Sequence, residues 1–132
     1  VEVSDSVIPN IIDEIPILSV AASFAEGETV IKNASELKVK ESDRLKATSD
    51  GLKAMNIKHD MLDDGLIIYG HNNDVHVSKE IDSFGDHRIA MSFLIAGIRS
   101  KGGVIVKNCK NIETSFPDFS KLMNNLGMKI NG

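Results

Sequence analysis

Two stretches of this sequence, 75 positions apart, carry the same pattern of residues. Val30-Ile31-Lys32-Asn33 corresponds to Ile105-Val106-Lys107-Asn108, Gly27 to Gly102, Leu37 to Ile112 and Asp43 to Asp118. An apolar run precedes each stretch, from Asp13 to Ala25 and from Ile89 to Ala96, with Leu18, Val20 and Ala21 matching Phe93, Ile95 and Ala96. A helix that is apolar on nearly every side has no face to offer water and must be enclosed. A one-sided helical pattern follows each stretch: Leu45, Thr48, Leu52 and Met55 in the first half, Phe119, Leu122, Met123 and Leu126 in the second. The repeat therefore calls for two units, 1–73 and 74–132, each with one buried and one half-exposed helix.

Strands fill the remaining places. Val1-Glu2-Val3, Glu28 to Asn33, Val75 to Val77, Val104 to Lys107 and Met128 to Ile130 are short β-type runs. Ile57 to Leu62 and Leu66 to Tyr69, joined through Asp63-Asp64-Gly65, read as a hairpin. Pro9-Asn10 marks a turn. Asp13 lies near the cap of the first buried helix, with Pro16 in its first turn and Gly27 at its end. Asp86 caps the second, which runs toward Gly102-Gly103, and Pro117-Asp118 opens the last helix. Each unit reads β-α-β-α-β, the first with an extra hairpin strand. The fold class is α/β (α+β), with two buried helices side by side and parallel, and a further unit is expected to enclose them.

A net charge of -4 argues against a general nucleic-acid or anionic-membrane surface. The apolar windows are too short to span a bilayer. Cys109 is the only cysteine, so a reducing, cytoplasmic setting is expected. His59, His71 and His76 have no ligand-like spacing and no metal is expected. The chain begins at Val1, already in a strand, as a piece of a longer protein would.

In an acidic chain, clustered cations are informative. Lys38-Val39-Lys40-Glu41-Ser42-Asp43-Arg44 puts three cations and two carboxylates into seven residues, just before a helix that Ser42 or Asp43 caps. Arg44 falls in the first helical turn, where the dipole disfavours a cation. A bound phosphate or carboxylate would account for it; a solvated charged loop is the other reading. Gly85-Asp86-His87-Arg88 repeats the arrangement, and Arg88 either holds an anion or pairs with Asp82 or Asp86. By the repeat, Asp13 and Arg88 emerge at equivalent places, and Lys38–Arg44 matches Glu113–Phe119, so these ends are expected along one edge.

Four motifs occur in an order that resembles the 5-enolpyruvylshikimate-3-phosphate synthase family: Ile12-Asp13-Glu14-Ile15-Pro16, Lys40-Glu41-Ser42-Asp43-Arg44 with its lead-in from Lys38, Gly85-Asp86-His87-Arg88-Ile89-Ala90-Met91, and Thr114-Ser115-Phe116-Pro117-Asp118-Phe119. The resemblance covers essentially the whole chain. It implies part of one domain of a two-domain fold, about two of the three βαβαββ units that surround buried parallel helices. It implies transfer of the carboxyvinyl group of phosphoenolpyruvate to the 5-hydroxyl of shikimate 3-phosphate, in a full-length monomer without cofactor.

The resemblance also implies roles. Asp13 and Lys40 contact shikimate 3-phosphate, with Asp13, Lys40 and Glu41 catalytic; Arg44 and Arg88 hold phosphoenolpyruvate; His87 lines the site. Two positions depart from the pattern: Thr114 stands where many members carry lysine, and Glu36 where others carry asparagine. The first domain, which supplies further contacts in the family, lies outside this chain. A sister enzyme acting on UDP-N-acetylglucosamine and a non-catalytic anion-binding module are the alternative readings.

Overall fold

In the computed structural model, which describes all 132 residues, the first buried helix is shorter than its apolar run. A single 3₁₀ turn, Ile12–Glu14, precedes α2 (Ile15–Ser23). Pro16 sits at its entry, where a missing N–H leaves no bond unmade. Ser19 and Ser23 are buried, and their hydroxyls donate to the carbonyls of Ile15 and Ser19 at 2.8 and 2.9 Å. Pro9-Asn10 is no turn. It lies in α1 (Ile8–Ile11), because proline at the start of a helix costs nothing there.

The first half completes itself with β1 (Gly27–Ile31), a 3₁₀ segment Ser35–Val39, α3 (Arg44–Ala54), β2 (His59–Leu62) and β3 (Gly65–Gly70). The strands form one antiparallel sheet in the order β1-β3-β2. Leu62 pairs with Gly65, so Asp63 and Asp64 form the two-residue hairpin loop that the sequence signalled. The amino-terminal residues run beside β1: the Val3 amide donates to Val30 O at 2.9 Å and the Val30 amide to Val1 O at 2.8 Å.

The second half holds β4 (Val75–His76), β5 (Ile81–Asp82), α4 (His87–Ala96), β6 (Ser100–Lys101), β7 (Val106–Lys107), α5 (Asn111–Ser115) and α6 (Phe119–Asn125). Its strands make two short parallel pairs, β4 with β6 and β5 with β7. Helix α4 ends at Ala96 in a 3₁₀ turn, Gly97–Arg99, well before Gly102-Gly103. The expected strand at Met128–Ile130 does not form. The Asn124 side chain accepts from the Ile130 amide at 2.7 Å and donates to the Ile130 carbonyl at 3.2 Å, taking the place of a strand partner. Helix α6 is more exposed than its one-sided pattern predicts, with Phe119 its one buried residue.

Positions 75 apart share unusual backbone. Gly27 and Gly102 have φ of 100° and 78°, and Asn33 and Asn108 of 56° and 62°. These are left-handed conformations that glycine and asparagine tolerate.

The main core joins α2, α3, α4 and the inner face of the sheet through Ile15, Val20, Leu45, Leu52, Leu66, Ile68, Ile89 and Phe93. Gly51 of α3 lets Phe93 of α4 lie against its backbone: a Cβ there would stand 2.1 Å from Phe93 Cζ. A smaller cluster of Ala90, Ile112 and Phe119 fastens α5 and α6 to the other side of α4. Beyond it an open groove of about 1290 Å³ is lined in part by Leu94, Ile98, Val104, Ile105 and Leu126. No helix is long and apolar enough to cross a membrane.

Candidate functional site

The starts of α2, α3 and α4 meet at one end of the core, and the charged motifs meet with them. Asp43 caps α3, its carboxylate accepting from the Lys46 amide at 3.0 Å. Arg44 follows as the first helical residue. Its side chain is only 2% exposed and is engaged by three carboxylates. Nε donates to Asp86 Oδ2 at 2.8 Å, Nη1 to Asp13 Oδ1 at 3.0 Å and Nη2 to Glu41 Oε2. A first-turn cation is therefore explained without a bound anion, because the chain's own carboxylates neutralise it. The reading of Lys38–Arg44 as a solvated loop fails for Arg44, which is buried, and is met in part by Lys38 and Val39, which are exposed but end a 3₁₀ segment.

Asp13 lies in the 3₁₀ turn before α2 and caps nothing with its side chain. It is shared: Lys40 Nζ approaches the same Oδ1 at 3.3 Å, and Glu36 holds Lys40 from the other side at 3.4 Å. Partial burial pushes the Asp13 carboxyl up, but the Lys40 hydrogen bond and the charges of Lys40, Arg44 and Arg88 outweigh it and hold it below the ordinary 3.8. Lys40 is raised in turn, chiefly by its hydrogen bond with Asp13.

Arg88 pairs neither with Asp82 nor with Asp86. Its Nη1 donates to Glu14 Oε1 at 3.1 Å, across 74 residues of sequence. Asp82 instead accepts from the Phe84 amide and the Asn108 side chain, each at 2.8 Å. His87 is half-buried at the start of α4.

Asp86 does more than the cap its position suggested. Oδ1 accepts from the Arg88 and Ile89 amides at 2.9 and 3.4 Å. Oδ2 accepts from Arg44 Nε and from Ser42 Oγ, both at 2.8 Å. Its side chain is wholly enclosed; burial raises the carboxyl, yet the bonds from Arg44 and Ser42 outweigh it and hold it low.

Asp13, Lys40, Glu41, Arg44 and Arg88 thus gather around the Asp13-Glu14 turn. The stretch Glu113–Phe119 joins this edge only indirectly. Asn111, at the head of α5, donates to the carbonyl of Gly85, next to Asp86, and Thr114 is exposed on α5. Lys40, Arg44 and Arg88 face five carboxylates: Asp13, Glu14, Glu36, Glu41 and Asp86. The cluster is net acidic, with each of its cations already held by at least one carboxylate. Glu14, Glu36 and Glu41 have mostly exposed side chains that can swing aside, whereas Asp86 is fixed. No three His, Cys, Asp or Glu side chains are grouped to hold a metal ion.

The family model for EPSP synthase (3-phosphoshikimate 1-carboxyvinyltransferase) matches residues 1–123. A 3-phosphoshikimate 1-carboxyvinyltransferase from Magnetococcus marinus is 48% identical over 130 residues, which is 98% of this chain and 29% of that protein. One from Coxiella burnetii is 44% identical over 132 residues, all of this chain and 30% of the relative. A solved structure of EPSP synthase from Acinetobacter baumannii superposes with a TM-score of 0.94 at 42% identity, over 99% of this chain and 31% of that one. The chain thus spans about 30% of the length of the relatives it matches. With nearly all of its length matched in sequence and in fold, this chain belongs to the EPSP synthase (3-phosphoshikimate 1-carboxyvinyltransferase) family.

Proposed function

We propose that this chain forms the donor-binding part of a longer enzyme that joins phosphoenolpyruvate to the 5-hydroxyl of shikimate 3-phosphate and releases phosphate. The convergence of Lys40, Arg44 and Arg88 on the Asp13-Glu14 turn carries the reading. Arg44 and Arg88 hold phosphoenolpyruvate, since a guanidinium can grip a carboxylate or phosphate through two N–H groups. Lys40 stands where the two substrates meet, and Asp13 receives hydrogen bonds from the shikimate hydroxyls. His87 lines the site.

The reaction needs proton transfers at two centres. The 5-oxygen bonds to the carbon that carries phosphate while a proton reaches the methylene carbon. The phosphate C–O bond then breaks and a proton leaves the new methyl group, restoring the double bond. Asp13 is the base for the hydroxyl and Glu41 moves the proton at carbon. Lys40, Arg44 and Arg88 hold the Asp13 carboxyl low, which makes it a weak base while they stand beside it. An anionic substrate that takes the place of Asp13 on Lys40 and Arg44 frees its carboxylate, so substrate binding prepares the base.

The chain comprises two repeat units, 1–73 and 74–132. The rest of the full-length protein encloses α2 and α4 and supplies the cations that three here cannot. Thr114, in place of a lysine, makes that supply more important. The full-length protein works in the cytoplasm as a monomer without cofactor.

The test is a phosphate-release assay on the full-length protein that carries this chain. Arg44→Ala and Arg88→Ala each weaken phosphoenolpyruvate use by about 2–4 kcal/mol in kcat/KM. Asp13→Ala and Glu41→Ala instead lower kcat by about 10²–10⁴-fold. The 132-residue chain alone releases no phosphate above a blank. Unchanged phosphoenolpyruvate kinetics in both arginine variants would sink the reading.

A further inference from the structure

We infer that Asp86 is a positioning residue of the anion site: its single buried carboxylate fixes Arg44 and the start of the helix bearing Arg88 in one frame. The inference rests on the reading of Arg44 and Arg88 as donor-binding groups. It goes beyond that reading by dividing the guanidinium of Arg44 into a permanent side and an exchangeable side.

The division follows from burial and bond direction. Asp86 is 0% exposed and lends one oxygen to each helix start. Oδ1 takes the Arg88 and Ile89 amides of α4, and Oδ2 takes Arg44 Nε and Ser42 Oγ from the head of α3. A cap needs only Oδ1, so Oδ2 is left to serve Arg44. The partners of the two terminal nitrogens are of a different kind. Asp13 and Glu41 are 42% and 57% exposed in their side chains, and both can turn toward water. An anion therefore replaces Asp13 and Glu41 on the Nη1–Nη2 edge while Nε stays on Asp86. Arg44 is presented end-on to its ligand, with its reach set by the helix that carries Arg88.

Asp86→Asn separates this task from capping. The amide oxygen still accepts from the Arg88 and Ile89 amides, but the amide nitrogen meets Arg44 Nε donor to donor. In the full-length enzyme, Asp86→Asn is expected to raise KM for phosphoenolpyruvate at least 30-fold and KM for shikimate 3-phosphate less than three-fold. In an Arg44→Ala background the same change is expected to add less than two-fold, since nothing is left to position. Wild-type KM for phosphoenolpyruvate in a folded Asp86→Asn enzyme, or a full multiplicative effect without Arg44, overturns the inference. An Arg44→Ala enzyme with normal phosphoenolpyruvate kinetics would instead overturn the underlying reading. Should Asp86→Asn fail to fold, a crystal structure of the wild-type enzyme with phosphoenolpyruvate decides. Nε is expected to remain on Asp86 with Asp13 and Glu41 displaced, and loss of the Nε contact overturns the inference.

Discussion

Arg44 and Arg88 open two helices in nearly the same way, one and two residues after a capping aspartate, yet they end in opposite environments. Arg44 is enclosed, with every guanidinium nitrogen on a carboxylate. Arg88 keeps 38% of its side chain in water, and its guanidinium makes one ion pair, to Glu14. Both oppose the helix dipole, a local cost of roughly 0.3–1 kcal/mol. The local cost does not decide which one is buried; the number of carboxylates that distant segments deliver does. Asp86 and Asp13 reach Arg44 from 42 and 31 residues away. One arginine is part of the architecture, and the other is available to rearrange.

The largest expected consequence is in stability. Arg44→Ala leaves Asp86 enclosed without its partner, and breaking a buried pair costs about 3–5 kcal/mol. Arg88→Ala removes one partly exposed pair and costs about 0.2–1 kcal/mol. Urea unfolding of both variants checks this, and equal losses would erase the distinction between the two sites.

Acid sharpens it further. Asp86 and Asp13 titrate below their ordinary 3.8 when folded. Such groups bind fewer protons folded than unfolded, so their contribution is complete above the unfolded value and disappears as pH falls through the folded one. The stability gap between wild type and Asp86→Asn, about 3 kcal/mol at pH 7, is therefore expected to narrow progressively as pH falls below 3.8. A gap as wide at pH 2 as at pH 7 would show that the charge of Asp86 is not what stabilises.

The smallest effect concerns salt. Glu14→Gln is expected to cost no more than about 1 kcal/mol at low ionic strength and almost nothing in 1 M salt, because exposed charges are screened there. The cost of Arg44→Ala should barely change between those conditions, since enclosed pairs are screened much less. Parallel salt dependence in the two variants would argue against different burial.

The elements that carry this contrast are legible in the sequence, because their signals are local, but the contrast itself is not. Helix periodicity, the Asp43 and Asp86 caps and the Asp63-Asp64 hairpin act over a few residues and appear where the sequence puts them. The motifs named the members of the cluster, but not who pairs with whom. Asp86 read as a cap because capping depends on the next two or three residues, while its bond to Arg44 depends on how α3 and α4 pack. Glu14 shares the turn of Asp13, and its pairing with Arg88 is set by the same packing. Two further differences lie outside the cluster. Asn124 satisfies Ile130 in place of a strand, and Pro9 begins a helix where proline usually announces a turn.

The contact between Gly51 and Phe93 acts as a spacer gauge for charges that neither residue touches. Gly51 lies seven residues after Arg44, about 10 Å down the axis of α3, and Phe93 lies five residues after Arg88 on α4. A ring resting directly on backbone sets how closely these two helices lie, and so how far apart two guanidinium groups stand at their ends. A single methyl at Gly51 would meet the ring at 2.1 Å and wedge the helices apart. The spacing of Arg44 and Arg88 is thus calibrated from inside the apolar core, at residues that carry no charge themselves.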